Sequence, residues 1–298
     1  EEDDYLNANI REIPIFFNPS KFKYEKESLY FVYETYFSDA ERLDNYVSFL
    51  VTTLREIGAA NDERRHGFER FVHTYNSLKN VDRGIMFVSF GAGYSEIALD
   101  TVRTYRTHTK LPILLYTDSR KVATEPNNIA NLHIVLVEAP YNYSRIIKTQ
   151  AYKYSPFEKT CYVDIDSECL HNFDNVFSYL GTHDLCMQRT MHNVSRRDYV
   201  EKASLVRRDQ PIGMNVSHAR EHLKYFDKLE GESGLGFHSR AKFDVFAGGG
   251  GFFSRNSLAA QGFDRVSYFW NKCDRLFDMV GWTMTIATIK PKIHVLAT

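Results

Sequence analysis

The sequence predicts an α/β fold built on a mostly parallel sheet, and two observations support this class. Residues 85–90 form a continuous apolar run, which is typical of a strand buried on both faces. Further apolar runs at residues 111–116, 132–137 and 161–163 alternate with segments of helical periodicity. The 298-residue chain is 43% hydrophobic and 25% charged, an ordinary globular composition. Strands and helices that alternate at this spacing indicate βαβ units with right-handed crossovers.

The first 83 residues precede this pattern and predict a helical extension of the α/β domain, which would cover residues 84–298. One helix is expected from Ser38 to Gly58 and a second over residues 62–78. Their apolar stripes contain Leu43, Tyr46, Leu50, Leu54, Phe68 and Phe71. Because two amphipathic helices alone bury too little to be stable, we expect them to dock on the α/β domain or on a second copy of the chain, so a homodimer is left open.

Within the α/β part, a helix is expected after each of the first strands. The helix at residues 95–107 follows the turn at Gly91, and the helix at residues 144–153 leads to the strand before Asp164. Beyond the carboxylates we expect a helix at 170–180, a strand at 184–187, helices from 257 and at 270–287, and a strand at 293–296. The segment 243–253 is apolar and contains a run of four glycines. The polar stretch 190–240 is expected to be irregular, either as a lid or acceptor-binding segment or as an insertion without a role.

Composition excludes some classes of function. A net charge of −1 gives no basic field for nucleic acid or an anionic membrane. No apolar run approaches the ~20 residues of a membrane span. The four cysteines show no CxxC spacing, so a structural zinc site is not predicted. Sequons at Asn142, Asn193 and Asn215 permit glycosylation, and the start at Glu1 is compatible with removal of an upstream signal or anchor. Both a secretory lumen and the cytoplasm remain open as locations.

Two carboxylates follow the strand at residues 161–163. On an extended chain, Asp164 and Asp166 point to the same side. Such a pair is costly unless a cation lies between the carboxylates, and a divalent ion with open positions suits a diphosphate. The alternative is that the aspartates cap a turn or a helix that begins at Ser167.

This stretch resembles the DxD motif of GT-A glycosyltransferases. The resemblance extends upstream to Arg145, Lys148 and the segment 155–159, and covers about residues 84–298. It implies a GT-A α/β/α sandwich that moves a sugar from a nucleotide-diphospho-sugar donor to a hydroxyl of a glycan or other acceptor. It also implies Mn²⁺ or Mg²⁺ as cofactor, held by Asp164 and Asp166.

The resemblance assigns roles to further residues. Tyr94 would stack on the base, Asp118 would accept a hydrogen bond from it, and each is alternatively an ordinary turn residue. Arg145 and Lys148, which share a helix face, would pair with phosphate or base, the alternative being a solvated face. Gly249, Gly250 and Gly251, in a run of four glycines, would approach the donor sugar. That run needs either a closely approaching ligand or a bulge.

Two late residues complete the implied site. Asp278, with Asp274 as its rival, would act as general base in an inverting enzyme or orient the sugar in a retaining one. Otherwise it is an N-terminal helix charge. His294 would complete the shell of the metal, or else it is a core or edge histidine.

Gly91-Ala-Gly93 follows a strand and opens a helix, as in a dinucleotide fingerprint. Glu96 at the third glycine position argues against one, because its side chain would crowd the helix and repel a diphosphate. Two alternatives to transfer remain. One is a catalytically silent carbohydrate- or nucleotide-binding protein of this fold. The other is a nucleotide-sugar-forming nucleotidyltransferase, which is disfavoured because no N-terminal GxGxR-type loop is present.

Overall fold

The computed structural model describes residues 73–124, 128–137, 147–205, 216–233, 242–255, 257–272 and 278–296. They divide into two compact units. The first contains the described residues up to Ile147 together with Lys153–Phe173. The second contains Lys148–Tyr152 together with the described residues from Asp174 onward.

The first unit is built on parallel strands whose order in the sheet is β3-β2-β1-β4. Their bounds are β1 (Arg83–Ser89), β2 (Ile113–Thr117), β3 (Leu132–Leu136) and β4 (Lys159–Asp164). Ile85 of β1 lies opposite Ile113 of β2 on one side and Cys161 of β4 on the other. Residues 84–89 of β1 and all of β2 are buried, as expected for central strands of a parallel sheet.

Helix α1 (Ala92–His108) follows β1, and the short helix α2 (Arg120–Thr124) follows β2. The buried face of α1 contains Ala98, Leu99, Thr101, Val102 and Tyr105. In its last turn the Arg106 guanidinium donates to the carbonyls of Thr109 and Leu111, at 2.9 and 2.8 Å. These bonds satisfy carbonyl groups beyond the C-terminus of the helix, where a cation is also favoured by the helix dipole.

Before β4 the chain forms a short helix, α3 (Ala151–Tyr154), and then the Ser-Pro-Phe loop. Phe157 of this loop is fully buried and lies against Gly84 of β1. A Cβ atom at residue 84 would come within 2.3 Å of the Phe157 ring. The absence of a side chain at Gly84 therefore allows the ring to lie on the strand.

The second unit has a 3-10 helix (Asp174–Gly181) and three strands: β5 (Leu185–Val194), β6 (Phe243–Ser254) and β7 (Ile293–Leu296). β5 pairs antiparallel with β6 and parallel with β7. Within the two units every described strand pair other than β5–β6 is parallel. The prediction of an α/β fold with mostly parallel strands is confirmed.

Four helices complete the second unit: α4 (Arg196–Leu205), α5 (Val216–Ser233), α6 (Ser257–Lys272) and α7 (Asp278–Ile289). Ser195 caps α4: its hydroxyl accepts from the Asp198 N–H at 3.0 Å, while Asp198 accepts from the Ser195 N–H at 3.1 Å. This is the reciprocal capping box. A buried hydrophobic cluster of the unit includes Tyr199 of α4, Phe226 of α5 and Phe269 of α6.

Three element predictions are wrong. The stretch 190–240 is not irregular, because it holds the end of β5 together with α4 and α5. The helix expected at 170–180 is a 3-10 helix that begins only at Asp174. Trp270 belongs to α6, and the last helix begins at Asp278.

The predicted N-terminal extension lies mostly outside the described residues. Residues 73–78 are helical, in agreement with the expected end of the second helix near Leu78. The domain boundary at residue 84 and the docking of the extension stay predictions. In the part of the chain that the structure describes, no helix is long and apolar enough to cross a membrane.

Candidate functional site

The strands of the first unit are parallel, but the side of β1 on which the chain adds new strands changes after β3. The chain moves from β1 to β2 and β3 on one side, then returns to place β4 on the other side of β1. In open α/β sheets, ligands bind outside the carboxyl ends of the strands at such a switch point. Val88 near the end of β1 lies opposite Asp164 at the end of β4, so the first predicted carboxylate lies at this position.

The Asp164 side chain is half-buried and has a defined hydrogen-bond partner. The Tyr162 hydroxyl donates to Oδ1 of Asp164 at 2.7 Å. Residues two apart on a strand share a face, so β4 itself brings the two side chains together. Tyr162 is buried, so its position is fixed by packing and its hydroxyl can orient the carboxylate.

Asp166 lies in a turn and is exposed. The expectation that both carboxylates lie on an extended chain is wrong, because β4 ends at Asp164. The Ser167 hydroxyl donates to the Asp164 carbonyl at 2.6 Å and closes the turn. No helix begins at Ser167, so of the two structural alternatives for the aspartate pair the turn is present and the helix start is not.

A short turn connects the end of β1 to the N-terminus of α1. Gly91 has φ 89° and ψ 155°, a conformation that residues with a side chain rarely adopt. Its N–H donates to both carboxylate oxygens of Asp118, at 3.0 and 2.9 Å. Asp118 thus ties the end of β2 to this turn and places a negative charge at the start of α1, which the helix dipole favours. A carboxylate in this position disfavours a diphosphate at the same helix end.

Tyr94 is exposed in the first turn of α1. The structure therefore places Tyr94, Asp118, Asp164 and Asp166 in the first unit. Base stacking by Tyr94 and base hydrogen bonding by Asp118 stay predictions. The described partner of Asp118 is the Gly91 backbone, a contact that the sequence did not predict.

The glycine run forms a bulge in β6 of the second unit. Met187 pairs with Gly251, and the next registered pair is Arg189 with Phe246. Between these pairs β5 has Gln188 alone, whereas β6 has the segment 247–250. Of the two explanations for the glycine run, a closely approaching ligand or a bulge, the bulge is therefore present. Bulges occur often beside active sites. Contact of Gly249, Gly250 and Gly251 with a donor sugar stays a prediction.

Packing against the neighbouring strand explains why residue 251 is a glycine. A Cβ at this position would lie 3.3 Å from the Cys186 carbonyl oxygen and 3.3 Å from Cγ of Met187. Gly249, in contrast, is exposed. The glycines of the run are thus not equivalent, since one is constrained by the neighbouring strand and another faces solvent.

A charged cluster on β5 and β6 was missed by sequence reasoning. Asp244 accepts hydrogen bonds from Arg189 at 3.3 Å, from His192 Nδ1 at 2.8 Å and from the Asn193 N–H at 2.7 Å. Burial alone would raise the pKa of Asp244, but the Asn193 N–H, His192 and Arg189 together lower it below the usual value. The cluster depends on cross-strand register, which no local sequence pattern reveals.

The remaining predicted residues belong to the second unit or lie outside the described residues. Arg145 lies outside them, and Lys148 is half-buried in the helical residues 147–149. Asp278 is the first residue of α7, so its expected place at the start of a late helix agrees with the structure. Its catalytic role stays a prediction.

His294 of β7 has aromatic neighbours. Its ring stacks on Tyr179, with centroids 3.6 Å apart, and His183 packs edge-on at 5.3 Å. These contacts fit the description of an edge-strand histidine. Across the described ranges, no group of three or more His, Cys, Asp or Glu side chains is arranged to hold a metal ion. Metal ligation by Asp164, Asp166 and His294 stays a prediction.

No family model matches the chain, and no curated protein matches it. Among solved structures, the chain is similar to the crystal structure of mouse xyloside xylosyltransferase 1 in its apo form. The TM-score is 0.40 at 14% identity, over 72% of this chain and 85% of that one. A likeness of this strength carries no argument about activity.

Proposed function

We propose that the chain is a metal-dependent glycosyltransferase of the GT-A type. It would transfer a sugar from a nucleotide-diphospho-sugar to a hydroxyl of a glycan or other acceptor. The observation that carries this proposal is the position of Asp164. It ends β4 beside the strand where the sheet order reverses, and Tyr162 orients its carboxylate. Asp166, two residues later, supplies a second and exposed carboxylate.

The residues fit a hard divalent cation. Carboxylate oxygens are the ligands that Mg²⁺ and Mn²⁺ prefer, and an exposed turn leaves room for a phosphate ligand. Asp164 and Asp166 would hold the ion. When bound, it would offset the negative charge that develops on the departing nucleoside diphosphate.

The chain's own residues would bind and orient the reactants. In the proposed reaction the acceptor oxygen forms a bond to the anomeric carbon, and the bond from that carbon to the diphosphate oxygen breaks. The electron pair leaves with the diphosphate, and the acceptor hydroxyl loses its proton. Asp278 would take that proton in an inverting reaction or orient the sugar in a retaining one. Lys148 and Arg145 would neutralise phosphate charge.

The decisive experiment is an assay of nucleoside diphosphate release from a panel of sugar nucleotides, with and without acceptors. We expect release with Mn²⁺ or Mg²⁺ and none after chelation. Asp166→Ala should abolish release while the circular dichroism spectrum is retained, because removal of one of two like charges leaves the fold intact. Asp100→Ala, which removes an exposed carboxylate of α1, is the matched control and should keep full activity.

Activity that survives both chelation and Asp166→Ala would overturn the metal-dependent proposal. Binding of sugar nucleotide without release under any condition would favour the catalytically silent alternative. Formation of a nucleotide-sugar from nucleoside triphosphate and sugar phosphate would favour the nucleotidyltransferase.

A further inference from the structure

One face of α1 makes side-chain hydrogen bonds to the loop that carries Asp166. Thr101 Oγ1 donates to the Ile165 carbonyl at 2.7 Å, and Thr104 Oγ1 accepts from the Cys169 N–H at 3.3 Å. The Tyr105 hydroxyl lies 3.0 Å from the Ser167 hydroxyl. Positions 104 and 105 lie one turn after position 101, so a single helix face contacts successive loop residues.

The direction of the Tyr105 hydrogen bond follows from the Ser167 proton. Ser167 donates its one hydroxyl proton to the Asp164 carbonyl at 2.6 Å. It must therefore accept from Tyr105, and the two bonds form a chain from α1 to the backbone of Asp164. Burial raises the pKa of Tyr105 far above its usual value, so the phenol keeps the proton that it donates.

Tyr105 is held in place by its own neighbours. Its ring packs edge-on against Phe87 of β1, with centroids 4.9 Å apart, and against Phe173 at 5.9 Å. Only 6% of Tyr105 is exposed. A donor fixed in this way holds the loop at a defined distance from the sheet, since the ring cannot follow a displacement of Ser167.

The loop has no regular structure that would hold it otherwise. β4 ends at Asp164, and residues 167–170 belong to neither helix nor strand. Asp166 is exposed, but the residues on both sides of it, Ile165 and Ser167, are bound by α1. Thr107 of the same helix instead donates to the Thr104 carbonyl and has no described contact with the loop.

We propose that Thr101 and Tyr105 are positioning residues, which hold the 165–167 turn so that Asp164 and Asp166 bind one divalent cation together. This inference rests on the proposed function, because it concerns the same carboxylates. Neither residue touches the reacting atoms. Both would act through the backbone of the turn, and their loss would weaken cation binding more than turnover at saturating cation.

The test compares Thr101→Val, Tyr105→Phe and the control Thr107→Val in the full chain. The first measurement is the affinity for Mn²⁺ alone, by calorimetry. The second is hydrogen exchange of the amides of residues 165–169, and the third is diphosphate release at saturating Mn²⁺. We expect about tenfold weaker Mn²⁺ binding and faster loop exchange in the first two variants, with turnover at saturating Mn²⁺ within about twofold of the wild type. Thr101→Ser, which keeps the donor, should restore affinity.

Several outcomes would overturn the inference. Unchanged loop exchange or unchanged Mn²⁺ affinity in both variants would show that α1 does not position the carboxylates. An equal effect of Thr107→Val would point to a general loosening of the helix. If the wild type itself binds no Mn²⁺, the proposed function fails together with the inference, whereas loss of binding confined to the variants leaves the function in place. If Thr101→Val does not fold, Tyr105→Phe and Thr101→Ser decide the question.

Discussion

The hydroxyl of Tyr162 and the carboxylate of Asp164 are joined by a 2.7 Å hydrogen bond along a single strand face. The donor belongs to a buried residue of β4, and the acceptor belongs to the half-buried last residue of the same strand. The bond restricts rotation of the carboxylate without use of a charged partner. An aspartate held in this way is prepared to bind a ligand before that ligand arrives, which reduces the entropy lost on binding.

We expect Tyr162→Phe to weaken Mn²⁺ binding by about tenfold, because residues that orient a metal ligand commonly contribute that much affinity. The measurement is calorimetric titration with Mn²⁺. Tyr116→Phe is the matched control, since its buried hydroxyl donates to the Tyr154 carbonyl at 2.7 Å. That variant should lose about 1 kcal/mol of stability and no Mn²⁺ affinity. Equal Mn²⁺ affinities for Tyr162→Phe and the wild type would show that Tyr162 does not orient Asp164 for cation binding.

Gly91→Ala should lower the free energy of unfolding by about 1–3 kcal/mol, because its positive φ and extended ψ are strained for a residue with a side chain. Gly93→Ala, two residues later in the first turn of α1, is the control. A Cβ there meets no atom within 4 Å, so the substitution should be neutral or stabilise by up to about 1 kcal/mol. Urea unfolding of both variants measures the difference. Similar values for the two would contradict a specific conformational demand at residue 91.

Gly249→Val should reduce donor affinity by about tenfold and change the melting temperature little, because residue 249 is exposed within the bulge. Gly251→Val should instead cost about 1–3 kcal/mol of stability, since its Cβ would press on the Cys186 carbonyl and Met187. Thermal unfolding and donor titration of the same preparations separate the two effects. Parallel losses of affinity and stability in Gly249→Val would indicate a purely conformational role for that glycine.

The Asp244 cluster should make a contribution to stability that is lost in acid. Because the folded pKa of Asp244 lies below its usual value of 3.8, the contribution is present above that value and disappears as the pH falls through the folded pKa. Asp244→Asn should therefore lose less stability than the wild type between about pH 4 and about pH 2. Urea unfolding midpoints across this pH range measure the loss of stability. Asp100→Asn, which removes an exposed carboxylate, is the control. Parallel pH profiles for the wild type and Asp244→Asn would refute the assignment.

The strands of the first unit could be predicted because each is a nearly continuous apolar run. Helices α4 and α5 could not, and the reason is visible in their buried contacts. His222 of α5 is 3% exposed and lies 2.6 Å from the Tyr199 hydroxyl of α4. A polar pair of this kind fills part of the buried region, yet a pattern of apolar residues counts a histidine as a solvent-facing position. The apolar pattern of residues 190–240 therefore predicts an irregular stretch.

The two aspartates of the candidate site were predicted from their place after an apolar strand. The groups that hold them were not predictable. Thr101 and Tyr105 lie more than sixty residues before their partners Ile165 and Ser167 in the chain, with separations of 64 and 62. Local periodicity indicates which face of α1 is buried, but not which backbone carbonyl a hydroxyl on that face will meet. The turn at 165–166 is one of the two alternatives that the sequence left open for the aspartate pair, and it is closed by a local bond from the Ser167 side chain to the Asp164 carbonyl.

The contact between Gly84 and Phe157 has a consequence for how relatives of this chain can be found. The ring occupies the volume that a side chain at residue 84 would need, so a side chain there clashes with it, and a smaller residue at 157 leaves a cavity. A larger residue at 84 requires a smaller one at 157, and the Ser-Pro-Phe loop must then be re-anchored. In an alignment of true relatives the two positions should therefore vary together, although 73 positions separate them. Such paired substitution would identify distant members of the group even where the carboxylates themselves have been lost.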